Sequence, residues 1–387
     1  MIQPVHSFRS PGTVVFGSGA LARLGETAAA LGPKVLVVTG SRSAASSGTL
    51  DRVRTYLEGA GLSVYVMPVV REEPTDAVVD ALRAALRSEG CTGVVAVGGG
   101  SSLDAGKAAA GLSYSEASTH EHMVGKAAIP SHGLPWIGVP TTAGSGAEMT
   151  PNAVLIDTVT GIKKSLRSWS WLAHAAIVDP DLTLTMPPQI TAASGMDALT
   201  QAIESYTSTG ATPLTEAISL EAAKRIAGHL LRAYTAPHDR KAREQVAWGS
   251  MMAGLALANA RLGAVHGFAH PVGTYCGLAH GLACAILLPS VIRFNAPVAG
   301  EKYKELARAL GLVTEGATAE EGTEALYGYV RDLNVKLGIP ERLGDAGLTA
   351  DMIPSIVAET LPSGSLAANP RTAGKADLTA ILESHLR

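Results

Sequence analysis

Short apolar runs alternate with amphipathic stretches from residue 35 to about residue 180. Runs such as "VLVVT" and "GVVAV" are β-branched, apolar at consecutive positions and bounded by glycine or proline. Such runs are typical of buried parallel strands, and the stretches between them are typical of helices. We therefore predict a doubly wound α/β domain whose strands include "KVLVVTG", "LSVYVMPVV", "TGVVAVGGG", "WIGVPTT" and "AAIVDPD".

The pattern changes after "DPDLTLTMPPQ", where strands largely disappear. Ala/Leu-rich segments with helical periodicity follow, such as "LTEAISLEAAKRIAGHLLRAY" and "AREQVAWGSMMAGLALANARLGAVHGFAH". Proline interrupts helices and marks connections, so the boundary is expected near Pro187 and Pro188. We predict an α/β domain over residues 1–186 and an all-α domain over residues 187–387.

The amino-acid composition argues against some classes of binding partner. Of the 387 residues 47% are hydrophobic and 17% charged, with a net charge of -3 and no run of Lys or Arg. We therefore expect neither a nucleic acid nor a membrane as a partner, and no stretch approaches the roughly 20 apolar residues of a membrane span. Cys91, Cys276 and Cys284 show no C-x-x-C spacing and are expected to be reduced thiols of a cytoplasmic protein.

A glycine-rich stretch follows the predicted strand "GVVAV" and precedes a predicted helix. It contains Gly98, Gly99, Gly100 and Ser101. Successive glycines let backbone N–H groups approach a phosphate, and the helix N-terminus adds a favourable dipole. "VPTTAGSGAEMT" repeats this arrangement, with the hydroxyls of Thr141 and Thr142 as donors. One such loop could be a plain strand-to-helix turn, but two in one α/β domain favour a dinucleotide cleft.

The stretch "VHGFAHPVGTYCGLAHG" contains His266, His270 and His280. His266 and His270 are one helical turn apart, and His280 follows a loop with proline and glycine that could fold back beside them. A single histidine on an apolar face is usually a satisfied core residue, but this density favours a metal site. Asp197 would supply the carboxylate that such a site needs.

Asp197 and Gln201 lie four residues apart in "GMDALTQAIESY", which is predicted to open a helix, so they share one helical face. The oxygen of Gln201 could coordinate a metal ion. Alternatively, Gln201 could hydrogen-bond Asp197 beside an ion with three protein ligands. The sequence is compatible with Gln201 in either role.

The order of "GGGSSLDAGK", "PTTAGSGAEMT", "GMDALTQAIESY" and "GAVHGFAHPVGTYCGLAHGLACAILLPSVIRFN" resembles the iron-containing (group III) alcohol dehydrogenase family. The resemblance implies an α/β nucleotide-binding domain, a helical domain, and a divalent ion, Fe²⁺ or Zn²⁺, in the cleft between them. By position it implies that Asp197, His266 and His280 bind the ion and that His270 lies near the nicotinamide and substrate. Gln201 replaces the usual family histidine, and its neutral oxygen is expected to hold soft metals less tightly.

The resemblance also bears on the cofactor. After the strand "VLVVT" the family often carries an aspartate that repels a 2′-phosphate, whereas this chain has Gly40, Ser41 and Arg42. We therefore expect NADP(H) in preference to NAD(H), although Arg42 could be a solvated loop residue. Asp104 and Lys163 are also expected at the cofactor, although Lys163 could be an ordinary surface lysine.

The implied reaction is hydride transfer between a nicotinamide and a small alcohol or aldehyde, with the ion polarising the carbonyl group. His270 could carry a proton or only orient the substrate. Arg261 could meet an anionic end of the substrate or pair with an acid elsewhere in the helical domain. A dehydroquinate-synthase-like cyclase and a non-catalytic nucleotide-binding relative are the alternatives. The expected assembly is a homodimer.

Overall fold

The computed structural model describes residues 5–40, 43–69 and 73–386. It divides into two compact units: Ser10–Thr185, and the described residues of Met1–Arg9 together with Met186–Arg387. The first unit is α/β and the second is helical, which confirms the predicted fold class. The assignment of cofactor binding to one unit and metal binding to the other stays a prediction.

The α/β unit is built on a six-stranded sheet in the order β1-β8-β5-β4-β2-β3. Every neighbouring pair in it is parallel. Its strands are β1 (Thr13–Phe16), β2 (Lys34–Gly40), β3 (Ser63–Val69), β4 (Gly93–Gly98), β5 (Trp136–Pro140) and β8 (Ala175–Val178). β2, β4, β5 and β8 are apolar and almost fully buried, as the consecutive apolar positions predicted.

Helices pack on both faces of this sheet, and a buried hydrophobic cluster lies on each face. The helices are α1 (Leu24–Ala28), α2 (Ser43–Ser46), α3 (Thr49–Gly59), α4 (Asp76–Ser88), α5 (Gly100–Gly111) and α6 (Thr119–Met123). The chain leaves β2 toward β3 on one side and returns to β4 on the other side. Ligands of open α/β sheets bind where the strand order reverses in this way, at the carboxyl ends of the two strands.

A hairpin that the apolar pattern did not predict follows β5. Its antiparallel strands are β6 (Asn152–Ile156) and β7 (Lys163–Arg167). The loop "VPTTAGSGAEMT" leads into this hairpin through a single 3-10 turn, Ala147–Met149, and not into an α-helix. The expected repeat of the strand-to-helix arrangement is therefore wrong.

The helical unit contains eight α-helices among its described residues. They are α7 (Pro188–Thr207), α8 (Pro213–Thr235), α9 (Arg240–Ala260), α10 (Ala264–Cys276), α11 (His280–Ala309), α12 (Ala319–Lys336), α13 (Ile353–Thr360) and α14 (Lys375–Glu383). Pro187 and Pro188 open α7, because a proline in the first turn needs no N–H partner. The motif "GMDALTQAIESY" was predicted to open a helix, but it occupies the middle and end of α7, which begins at Pro188.

One predicted helical segment is divided, and one predicted loop is shorter than expected. "AREQVAWGSMMAGLALANARLGAVHGFAH" bends between α9 and α10, where Arg261 adopts a positive φ of 70°. The loop before His280 comprises only residues 277–279, because Pro271 lies inside α10.

α11 has the length and mean hydropathy, 1.6, of a membrane span, but 61% of that window is buried within the protein, as in a core helix.

Candidate metal centre and nucleotide loops

One face of α7 carries polar side chains although the helix is almost entirely buried. Asp197, Gln201 and Glu204 lie at positions i, i+4 and i+7, so they follow one another along the same face. Their residues are 5%, 3% and 4% exposed. Buried polar groups are stable only with partners, so this face requires other polar groups opposite it.

Two histidines from other helices meet Asp197. The Nε2 atom of His266, on α10, lies 3.2 Å from Oδ1 of Asp197. The Nε2 atom of His280, the first residue of α11, lies 3.7 Å from the same oxygen. The two imidazole rings are 5.4 Å apart between centroids. The structure therefore brings together the carboxylate and both of the histidines that were predicted as metal ligands.

Glu204 fixes the orientation of His266. Its Oε2 lies 2.5 Å from Nδ1 of His266, and its Oε1 accepts the backbone N–H of Val265 at 2.7 Å. Gly263 makes room for this contact, since a Cβ atom there would lie 2.8 Å from Oε1 of Glu204. A carboxylate on Nδ1 leaves Nε2 facing the cluster, which is the usual arrangement around a metal-bound histidine.

Cys284 joins the same cluster. It lies one turn after His280 on α11 and is fully buried. Its Sγ atom is 3.7 Å from Nε2 of His280 and 3.9 Å from Nε2 of His266. One side-chain atom from each of Asp197, His266, His280 and Cys284 lies within 4.8 Å of every other. The sequence predicts this cysteine only as a reduced thiol.

The acidic members of the cluster favour their charged forms. Burial raises the pKa of Asp197, but the charge of His280 and hydrogen bonds from His266 and Gln201 outweigh burial, so the pKa lies below its ordinary value. Burial likewise raises the pKa of the Cys284 thiol, and the two neighbouring histidines outweigh it, so that this pKa is also lowered. Both pKa shifts are thus in the direction of the charged form.

The histidines show the complementary shift. Burial lowers the pKa of His266, but the charges of Cys284 and Glu204 and the bond to Asp197 raise it well above 6.5. The pKa of His280 is raised by Cys284 and Asp197 against the effect of burial. Without another cation, these imidazoles must supply the positive charge that the buried acids require. A divalent ion would serve the same purpose with neutral imidazoles as ligands.

Gln201 is held against Asp197. It contributes to the lowered pKa of that carboxylate from one turn away on α7, while its Oε1 atom is buried without a hydrogen-bond partner among the described residues. Nδ1 of His280 is likewise buried without a partner in the described part of the chain. Buried polar atoms without a partner are costly, and these two border a set of groups whose chemistry suits a metal ion. The donor set thus fits a divalent cation.

His270 lies beside the cluster and outside the set of close ligand atoms. Its ring stacks on His280 with 4.9 Å between centroids and an interplanar angle of 26°. It is half-buried, whereas His266 is buried. This position agrees with the predicted role next to the ion and not on it, although a role in catalysis stays a prediction.

A second acidic cluster provides a contrast. Asp76, His120 and Asp157 also come within metal-ligand distance of one another in the α/β unit. Here, however, Lys164 lies 3.2 Å from Asp157, and Thr160 and a backbone N–H also bind this carboxylate. Asp157 therefore already has a cation and hydrogen-bond donors, and this cluster holds the loop between β6 and β7.

The glycine-rich stretch forms the carboxyl end of β4 and the beginning of α5. Gly98 has a positive φ of 150°, and a Cβ atom there would lie 2.6 Å from Oγ of Ser102. α5 begins at Gly100 with no side-chain cap and no acid in its first turn, which contains Ser101. The N–H groups of the first turn of a helix without such a cap can bind an anion such as a phosphate.

The second loop lies directly beside the first. The backbone N–H of Thr141 donates to the carbonyl of Gly98 at 2.9 Å. A Cβ atom on Gly99 would lie 3.5 Å from the side chain of Thr142, and one on Gly100 would lie 2.8 Å from Oγ of Ser145. Two predicted cofactor loops therefore form one surface at the end of the sheet.

Gly40 ends β2 at the same edge, since a Cβ atom on Gly98 would lie 3.6 Å from the backbone nitrogen of Gly40. This pair lies where the strand order reverses, at the carboxyl ends of β2 and β4. Ser41 and Arg42 lie outside the described residues. Their predicted contact with a 2′-phosphate is therefore untested.

Asp104 and Lys163 have protein partners. Asp104 accepts a bond from Nζ of Lys107 at 3.1 Å and from the backbone N–H of Val154 at 2.9 Å, so it ties α5 to β6. Lys163 lies 2.6 Å from Oε1 of Glu73. Both contacts are structural, and cofactor binding by either residue stays a prediction.

Comparisons with known proteins agree with this geometry. The family model described as iron-containing alcohol dehydrogenase matches residues 11–180, and that described as the C-terminal part of the Fe-containing alcohol dehydrogenase family matches residues 191–386. The chain belongs to the iron-containing alcohol dehydrogenase family. It is therefore an alcohol dehydrogenase or aldehyde reductase, as predicted, and the family pairs a divalent metal ion with a nicotinamide cofactor.

Individual enzymes resemble it over nearly their full length. It is 36% identical over 377 residues to 1,3-propanediol dehydrogenase from Citrobacter freundii, covering 96% of each chain. A crystal structure of 1,3-propanediol oxidoreductase superposes with a TM-score of 0.94 at 33% identity, covering 99% of this chain and 100% of the other. Sulfoacetaldehyde reductase from Bifidobacterium kashiwanohense, solved with NAD⁺, gives 0.90 at 31% identity, covering 99% of each.

Arg261 makes a contact that neither prediction included. Its guanidinium donates to the backbone carbonyl of Gly364 at 2.6 Å, and its own carbonyl accepts Oγ of Ser205. Among its described contacts there is no acid. Arg261 thus ties the turn between α9 and α10 to α7 and to the segment after α13. The first predicted histidine ligand, His266, follows five residues later.

Proposed function

We propose that this protein is a divalent-metal-dependent aldehyde reductase that transfers hydride from a nicotinamide, NADPH in preference to NADH, to a small aldehyde, and that catalyses the reverse oxidation of the alcohol. The observation that carries the proposal is the convergence of Asp197, His266 and His280 from three helices, with Nε2 of His266 3.2 Å and Nε2 of His280 3.7 Å from Oδ1 of Asp197. A divalent ion bound there would polarise the carbonyl group and stabilise the negative charge that develops on its oxygen.

The protein's own residues would prepare that site. Glu204 holds His266 in one orientation, and Gln201 lies beside Asp197 on the same face of α7. The fixed orientations mean that little reorganisation is needed when the charge on the substrate oxygen develops. His270, stacked on His280, is the residue that we propose to deliver the proton to the oxygen of the product alcohol.

The nucleotide loops support the cofactor part of the proposal. The first turn of α5 and the neighbouring Thr141 and Thr142 would bind the diphosphate. At the end of β2, Gly40 presents no carboxylate where one would bond the 2′-hydroxyl of NADH and repel the 2′-phosphate of NADPH. This absence supports NADPH, together with the guanidinium of Arg42 in the sequence.

Gly40→Asp tests the cofactor preference. The native enzyme is expected to have a lower KM for NADPH than for NADH, and the new carboxylate is expected to reverse this order by repelling the 2′-phosphate. Initial rates with each nucleotide give both KM values, and Gly40→Asn is the matched control because it adds a side chain of nearly the same size without charge. Equal KM values that Gly40→Asp leaves unchanged would contradict the proposal.

Two further expectations concern the setting of the enzyme. The free thiols of Cys91, Cys276 and Cys284 support a reducing compartment, and we propose the cytoplasm. A homodimer stays a prediction, which light scattering of the purified protein would check.

A further inference from the structure

We propose that Cys284 is the fourth protein ligand of the metal ion, so that the complete set is Asp197, His266, His280 and Cys284. The inference rests on the metal dependence proposed above and identifies which residue takes the place left by Gln201. With Cys284 as a ligand, the ion is bound by a thiolate in place of the neutral amide oxygen of Gln201. This exchange changes which metal ion the site prefers.

The distances agree with a tetrahedral site. With bonds of about 2.0 to 2.1 Å to nitrogen and oxygen and about 2.3 Å to sulfur, tetrahedral ligands lie about 3.3 Å apart, or about 3.6 Å when one is sulfur. The nitrogen–oxygen distances here are 3.2 Å and 3.7 Å. The two sulfur–nitrogen distances are 3.7 Å and 3.9 Å. Small side-chain movements would therefore close the four atoms around one ion.

The position of Cys284 follows from the helix that carries it. His280 and Cys284 are one turn apart, so they face the same side of α11. Between them, Gly281 lies so close to α7 that a Cβ atom would be 2.2 Å from the carbonyl of Ala193 and 3.3 Å from Cβ of Asp197. This close approach places the thiol next to the carboxylate.

Gln201 is the weaker candidate for the fourth ligand. It lies one turn from Asp197 on α7, and its amide oxygen is neutral. A thiolate binds a soft divalent ion more strongly than a neutral amide oxygen does. Sγ of Cys284 lies 3.7 Å and 3.9 Å from the imidazole nitrogens of the two predicted histidine ligands. Gln201 is thus assigned as a positioning residue beside Asp197.

The charge of the site also calls for a cation. Asp197 and Glu204 are buried, and among the described residues their ion-pair partners are His266 and His280, without any lysine or arginine. A buried carboxylate pair next to a thiol is costly without positive charge. A divalent ion balances these groups, whereas the cluster around Asp157 already has Lys164 for this purpose.

The chemical consequence is a preference for zinc-like ions. Thiolate is a soft ligand that favours Zn²⁺ and Co²⁺, and it binds as the deprotonated group. The expectation from Gln201 alone was weaker retention of soft metals, and Cys284 reverses it. We therefore expect the isolated protein to retain Zn²⁺ or Co²⁺ more tightly than Fe²⁺.

Cobalt substitution tests the assignment directly, because a Co²⁺–thiolate bond gives a ligand-to-metal charge-transfer absorption in the near ultraviolet that nitrogen and oxygen ligands do not give. The chain stripped of metal would be titrated with Co²⁺, while bound cobalt is measured on the same samples. The native protein is expected to show the charge-transfer band in proportion to bound cobalt. Cys284→Ser is expected to lose the band and to release cobalt to a chelator at least about tenfold faster.

Cys276→Ser is the matched control, since Cys276 ends α10 without belonging to the cluster, and it is expected to keep the full band. Gln201→Ala is expected to keep the band as well. Bound cobalt without a charge-transfer band, or a band that survives Cys284→Ser, would overturn the ligand assignment and leave the proposed metal dependence intact. A protein that binds no cobalt would overturn both.

Discussion

One histidine of the candidate metal centre is held by a neighbour that fixes the direction of its ligand atom. Glu204 binds Nδ1 of His266, so Nε2 of that ring faces Asp197. Gln201 lies beside Asp197 on the same face of α7. Such partners usually change metal affinity about 10- to 100-fold when they are removed, although they do not touch the ion.

Glu204→Gln is the direct test at this scale. The amide keeps the size of the side chain but loses the charge that favours a donating Nδ1–H, so metal retention is expected to weaken by about 10- to 100-fold. Chelator competition measures the affinity. Glu324→Gln is the control, because Glu324 pairs with Arg293 on the exposed side of α12. Equal affinities for the native protein and both variants would show that Glu204 only stabilises the fold.

The sequence predicts part of this site and misses another part for a physical reason. Asp197, His266 and His280 were recognised because they occur in motifs of a known family, and they do converge. Glu204 has a signal in the sequence, since it lies seven residues after Asp197 on the same helical face. Cys284 has a similar signal, since it lies four residues after His280. The spacing does not show that α7, α10 and α11 meet and bring the thiol to Asp197 and His266.

At the scale of elements, the centre depends on how closely α7 and α11 approach. Gly281 permits this approach, and it does so next to His280 and Cys284 on one side and Asp197 on the other. Overpacking a close helix contact generally costs about 1 to 3 kcal/mol and moves the backbone. At this position a movement would also separate ligands that different helices supply.

Gly281→Ala is therefore expected to lower the free energy of unfolding by about 1 to 3 kcal/mol and to lose bound metal. Thermal unfolding and metal content of the same preparation measure both effects. Gly228→Ala is the control, because Gly228 lies in α8 with no heavy atom within 4 Å of the added Cβ, and alanine favours a helix by about 0.5 to 1 kcal/mol. Metal content that stays unchanged in Gly281→Ala would show that the ligands do not depend on this contact.

Elements were predictable where burial imposed a pattern. β2, β4, β5 and β8 carry consecutive buried apolar residues, and the apolar runs located all of them. β1 is short and largely exposed at the sheet edge, and β7 is mostly polar, so neither gives a clear apolar run. The break between α9 and α10 was missed because the sequence continues with helical periodicity, while Arg261 adopts a conformation that is rare for a residue other than glycine.

At the scale of the whole molecule, the chain combines an α/β unit that carries glycine-rich loops with a helical unit that carries a buried cluster of groups that could hold a metal ion. The order of its motifs was enough to predict the fold class and the family. We propose that nucleotide and metal preference depend on single residues, Gly40 and Cys284 respectively. We also propose that aldehyde reduction requires the metal ion.

Turnover measured together with metal content tests this claim most directly. Oxidation of NADPH by a short aldehyde would be followed for the protein purified without chelator, after removal of metal by a chelator, and after addition of Zn²⁺, Co²⁺ or Fe²⁺. The rate is expected to fall in proportion to the metal removed and to return with the added ion, and Asp197→Ala is expected to lose both metal and turnover. Reduction at the full rate by a protein that holds no metal, unchanged by the chelator, would contradict the account.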